Sequence, residues 1–188
     1  MDKQSFADKL FGAIKEYMDE TVNNSRDPVD SETAVLIDSI EIEQIIMALA
    51  MDFAKALNDR DFEHLDGRAE YHLYTVDHLV ELIKNNDEQN TTNLFNENRI
   101  KSKYEDCEFL TITFSEDKER AEVIYNVRTC IISAEDKYFK SLNKKNDKKH
   151  RISAGTSFTN CYTLIIKMDK GTWKIDKFES SEEYIKKT

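Results

Sequence analysis

Apolar residues in this chain change their spacing part-way along, and the change separates a helical first part from a stranded second part. Phe6, Leu10, Ile14, Tyr17 and Met18 recur at intervals of three and four with charges between them, which predicts an amphipathic helix over residues 4–22. Pro28 disfavours helical backbone at Asp27, so residues 23–28 should break it. The spacing resumes after Ser31 through Leu36, Ile40, Met47, Ala50, Phe53, Ala54 and Leu57, predicting a long buried stripe that ends at Asn58, with one interruption near Ser39. A further helix is expected over residues 69–84 from Leu73, Val76, Leu79, Val80 and Ile83. Residues 85–98 hold only Leu94 and Phe95 as apolar anchors and read as a loop, with a short helix expected near 100–104.

From Cys107 the period becomes two. Residues 107–115 and 120–133 are rich in β-branched and aromatic side chains and flank a polar turn, the pattern of paired strands. Ala121, Val123, Tyr125, Val127, Thr129 and Ile131 fall on one face, with Glu122, Ile124, Asn126, Arg128 and Cys130 on the other. One face is drier, as expected of a sheet with helices on a single side. Residues 155–168 and 172–178 should close the sheet as a hairpin. Asp169-Lys170-Gly171 reads as a three-residue connection with Gly171 left-handed in a bulge. That register puts Trp173 and Ile175 with Ile165, and puts Tyr162, Leu164, Ile166 and Asp176 on the face of Phe178. The fold class is α+β, N-terminal helices packed on a curved antiparallel sheet.

Composition narrows the chemistry. Four Gly and one Pro in 188 residues, without a GxGxxG or GxxxxGKS/T string, argue against dinucleotide and P-loop sites. The net charge is −10, and residues 1–66 carry the whole excess with 16 acids against 6 Lys and Arg. That field would repel phosphates, so nucleic acid is not the expected partner of the helical part. Cys107, Cys130 and Cys161 lie in strand-like segments without metal spacing and read as buried reduced thiols of a cytoplasmic protein. No apolar run is long enough to span a bilayer, so a membrane is not expected as a partner, unless an N-terminal anchor has been removed.

Helices followed by a meander of long strands, the Asn58–Phe62 turn, and the closing Trp173-Lys174-Ile175-Asp176 strand resemble the nuclear transport factor 2-like (cystatin-like) superfamily over about residues 40–178. The resemblance implies a cone between sheet and helices that can hold a small ligand, and dimers that pair through the sheet. Residues 1–39 would be a helical extension and 40–188 the domain. Relatives include enzymes, adaptors, toxin-immunity proteins and assembly domains of bacterial secretion machines, so the fold does not fix a function.

Candidate sites are few. Asp176, if it lines the cone, would act as a general base, with Tyr162 donating to a developing oxyanion. Lys174 on the same strand favours the plainer reading, in which Asp176 faces water. His72 and His78 are six residues apart and cannot form a two-ligand helical metal site. His78 and Glu81 are three apart, with His64 nearby in sequence, yet no further ligand is indicated. No metal or cofactor is expected. Residues 137–151 hold seven Lys and Arg against Asp147, a solvated basic connection that could bind an anion or dock on the acidic helices of another copy. The leading expectation is a non-enzymatic binding or assembly domain, bacterial and dimeric or bound to a protein partner. A small-molecule isomerase or dehydratase using Asp176 and Tyr162 is the alternative, and a toxin-immunity protein the third.

Overall fold

A computed structural model of the chain describes residues 31–144 and 151–181, with side chains from residue 40 onward. The expected helix over residues 4–22 and the centre of the basic connection lie outside the described residues. Two compact units divide at Glu41/Ile42. The described part of the first is the opening of helix α1 (Ser31–Asn58), which runs without the expected interruption.

In the second unit α1 is followed by the two-residue strand β1 (Arg60–Asp61), 3-10 turns at Phe62–His64 and Tyr71–Leu73, and helices α2 (Val76–Lys84) and α3 (Asp87–Asn98). Strands β2 (Lys101–Phe114) and β3 (Arg120–Ser133), helix α4 (Asp136–Leu142), and strands β4 (Thr156–Asp169) and β5 (Thr172–Ser181) complete it. The five strands form one curled antiparallel sheet in the order β1-β2-β3-β4-β5. This is the α+β arrangement expected from the switch in period.

The core sits on the face of β3 that the alternation marked: Ala121, Val123, Tyr125, Val127 and Ile131 are all buried. The buried stripe of α1 is Ile46, Ala50, Phe53 and Ala54, spaced at four, three and one so that they form one helix face. Two stripe assignments change: Ile46 replaces Met47, and Ile40 is 46% exposed.

Three elements depart from expectation for identifiable reasons. The helix expected over 69–84 starts only at Val76, because Thr75 caps it: its side chain accepts from the His78 amide, and its own amide donates to the Ile175 carbonyl. Residues 87–98 are helical although they lack an apolar period. Asp87 and Glu88 favour the N-terminus, Gln89 donates to Asn93 across one turn, and Arg60 lies over the Phe95 ring. The short helix near residue 100 is instead the start of β2, held by Arg60↔Ser102 and Asp61↔Lys101 pairing and by the Tyr104 amide donating to Asp59.

Candidate functional site

The closing hairpin decides where Asp176 points. Asp169 pairs with Thr172, so the connection is two residues, Lys170 (φ 51°) and Gly171 (φ 82°), rather than three. Two successive positive φ angles are the signature of the type I′ turn, whose twist matches the strands it joins. Shortening the turn by one residue moves every partner by one, and a one-residue slip exchanges the faces of a strand. Trp173 and Ile175 therefore lie on the buried face with Leu164 and Ile166, not with Ile165. A bulge then intervenes: Ile165 pairs with Lys177 and Ile166 with Ile175, so Asp176 is the extra residue between two ladder partners. The bulge restores Phe178 to the core and directs Asp176 away from it.

What Asp176 meets there is a row of cations. Arg120 pairs with Lys167, and Lys167 pairs with Lys174, so three positive residues stand side by side on adjacent strands. Like charges in such pairs repel. Asp176 accepts from Lys167 at 2.7 Å and from the Thr75 hydroxyl at 3.2 Å, and Lys174 donates to the His72 carbonyl. Burial opposes the charge of Asp176, yet the Lys167 ammonium, the Thr75 hydroxyl and the field of Arg120 outweigh it and hold the carboxyl below its ordinary range. A carboxylate so stabilised is a weak base, the opposite of the raised pKa that proton abstraction calls for. Its visible role is that of counter-ion to the row and anchor for the cap of α2.

Tyr162 is placed elsewhere. It stands opposite Ser180, four positions along β5 from Asp176, and it is buried. Its hydroxyl exchanges hydrogen bonds with the Asn58 side chain at 3.1–3.2 Å, and burial pushes its pKa up. Asn58 is the hub that sequence reading missed. Its Nδ2 also donates to the Ala54 carbonyl at 2.7 Å, its Oδ1 accepts from the Thr129 hydroxyl at 2.9 Å, and its carbonyl accepts from Ser102. Nearby the Tyr125 hydroxyl donates to the Ala50 carbonyl at 3.0 Å. Aromatic rings pack around this cluster: Phe178 lies edge-on between Phe53 and Tyr162 with centroids at 4.9 and 5.0 Å, and Tyr125 stacks on Phe109 at 5.4 Å. Under the sheet, the polar atoms of the Asn58, Thr129 and Tyr162 side chains thus bond one another among buried apolar side chains. The one sequence sign of this hub was an asparagine closing a helix whose stripe is otherwise apolar.

A second buried pair, Arg60 with Glu70, ties β1 to the turn before α2. His78 packs on Tyr74 with ring centroids 4.5 Å apart and approaches Glu81 at 3.9 Å; burial lowers its pKa against the opposing pull of Glu81 and Asp176. His64 is not part of that group. It lies with Asp61 and Glu63, whose ligand atoms fall within 4.8 Å of its own, but Asp61 is engaged by Lys101 and by the Glu63 amide. Cys107, Cys130 and Cys161 are free and only half-buried, less enclosed than expected, and burial raises the Cys107 thiol.

Outside the sheet, the surface is uneven. A groove of about 390 Å³ opens between the ends of α2 and α3, lined by Arg68, Tyr71, Ile83, Asn86, Asp87, Glu88 and Gln89. Val76, Val80 and Ile83 on α2 are 59%, 42% and 66% exposed. Among the described residues no helix is long and apolar enough to cross a membrane.

No protein-family model and no curated protein matches the chain. Solved structures similar to it include a periplasmic fragment of TraM, 9% identical, covering 73% of this chain and 96% of that one at a TM-score of 0.42. The intermembrane space region of the chloroplast protein ARC6 is 15% identical, covering 62% and 97% at a TM-score of 0.31. A chain from Xanthomonas campestris described as a calcium/calmodulin dependent protein kinase II association domain is 15% identical, covering 84% and 91% at 0.34.

Proposed function

We propose that residues 42–188 form a non-enzymatic binding or assembly domain of the nuclear transport factor 2-like kind, which engages another protein or a second copy of itself through its outer surfaces. The observation that carries this reading is the mutual hydrogen bonding of the buried polar groups under the sheet. Phe53, Tyr125, Tyr162 and Leu164 are at most 3% exposed, and the hydroxyls of Tyr125, Tyr162 and Thr129 are bonded to Ala50 and Asn58. A small-molecule site places convergent polar groups around an apolar space. Here those groups converge on one another, and the acid proposed as a base is turned out of the core and paired.

The test is an amide-resolved NMR titration of the full chain with a panel of small ketones and carboxylic acids. The reading predicts no saturable shift at Tyr125, Tyr162 or Leu164. A compound that moves those signals to saturation, and is turned over more slowly by Tyr162→Phe, would replace this reading with the enzyme.

A further inference from the structure

Helix α2 has more apolar residues than its own domain buries. Leu79 and Leu82 are partly buried against the core, as one amphipathic face requires. Val76, Val80 and Ile83 are a second set, spaced at four and three, and they fall within a wedge of about 60° on a helix turning 100° per residue. All three are exposed, at 59%, 42% and 66%. Single exposed apolar residues are ordinary, but an aligned row along the whole length of a helix is not. The residue types sharpen the point. β-branched side chains lower helix propensity, and on a solvent face no packing within the described domain compensates for them.

The charges beside the row indicate what would cover it. Asp77 and Glu81 follow Val76 and Val80 by one residue and stand on the flank of the row that faces solvent, 90% and 73% exposed. Lys84 is the sole cation of the helix, and beyond the turn come Asp87 and Glu88. Lys167 reaches Asp77 only at 4.0 Å and is already bound to Asp176 at 2.7 Å, and among the described residues Glu81 approaches His78 at 3.9 Å, a ring whose pKa burial lowers. An apolar row with an acidic flank complements a helix carrying an apolar face bordered by Lys or Arg.

Resting on the binding reading above, we propose that the outward face of α2, Val76-Val80-Ile83 flanked by Asp77 and Glu81, docks a cationic amphipathic helix of a partner protein. The nine residues of α2 extend about 13 Å, so the partner needs two to three turns with apolar residues at matching spacing. Its cations would lie over Asp77 and Glu81, and its end would reach the groove lined by Ile83 and Tyr71.

The experiment measures fluorescence anisotropy of the full chain with a labelled 14-residue helical peptide of Leu and Lys, beside a control of equal charge with Ser for every Leu. Three proteins are compared at 0.15 M salt: wild type, Val80→Ser/Ile83→Ser, and Asp77→Asn/Glu81→Gln. All substituted positions are exposed, and melting curves check that each variant folds. The docking face predicts saturable binding of the Leu/Lys peptide, weakened about tenfold by the apolar pair and about threefold by the acid pair, with the Ser control bound far more weakly. Equal affinity of wild type and the Val80/Ile83 variant would overturn the proposal, since the peptide would then sit elsewhere on the acidic surface. No binding to wild type would overturn it too. So would a wild-type dimer, seen by sedimentation, that the Val80/Ile83 variant dissolves, because the face would then belong to a second copy. None of these outcomes changes the NMR titration of the core, so failure of this face and failure of the binding reading are told apart.

Discussion

The concave face of the sheet and the outward face of α2 are built from similar apolar residues and used in opposite ways. Under the sheet, Ile46, Phe53, Val123 and Leu164 are fully buried, and each polar atom of the Asn58 cluster has a partner. On α2, Val76, Val80 and Ile83 remain largely exposed beside two acids that the domain engages little. A closed interior contributes stability, while an open apolar row contributes little to it. The contrast places the folding energy under the sheet and leaves the apolar row of α2 available for the docking proposed above.

The largest test of that contrast is Phe53→Ala, which removes a ring packed on Tyr74 and Phe178. A loss of about 3–5 kcal/mol is expected by urea unfolding, and a loss below about 1 kcal/mol would mean that the interior is loosely filled. Asn58→Ala should follow at about 2–3 kcal/mol, since the hydroxyls of Thr129 and Tyr162 lose their buried partner.

Asp176→Asn sits between the two regions and should cost about 1 kcal/mol at pH 7, by weakening the counter-ion to Lys167. The pH dependence has a definite sign. Because the folded state holds Asp176 below its ordinary pKa, its contribution is full above the unfolded value of about 3.9 and fades as pH falls through the folded one. The asparagine variant should lack that acid-limb slope. His78 gives a separate window. Its folded pKa is lowered, so the unfolded chain takes the proton first and stability declines as pH drops below about 6.5. His78→Leu should flatten that segment of a stability–pH curve and leave the more acidic one unchanged. The smallest effect belongs to Val80→Ser/Ile83→Ser, expected within about 0.5 kcal/mol of wild type for these exposed positions.

Those magnitudes also mark what could be read from sequence. The period-two alternation of β3 identified its buried face residue by residue, because that face is apolar at every position except Thr129. The closing hairpin was legible as a hairpin but not in register. Asp169-Lys170-Gly171 is compatible with a two- or a three-residue turn, and that one residue sets which face Trp173 and Ile175 take. The bulge at Asp176 has no local sequence mark. Helix α3 was missed because polar pairs such as Gln89 with Asn93 support it instead of an apolar stripe. The site residues were legible only as types. Asp176 and Tyr162 read as a polar pair, whereas their partners Lys167, Thr75 and Asn58 come from a strand, a helix cap and a helix end up to 104 residues away.

The central claim, that Tyr162 belongs to a closed core network and not to a ligand site, is tested most directly by a double-mutant cycle on Asn58→Ala and Tyr162→Phe in urea. A committed pair predicts a coupling of about 1–2 kcal/mol, each substitution costing less once the other is present. Additive losses would contradict the account and return the Tyr162 hydroxyl to the list of groups free to meet a ligand.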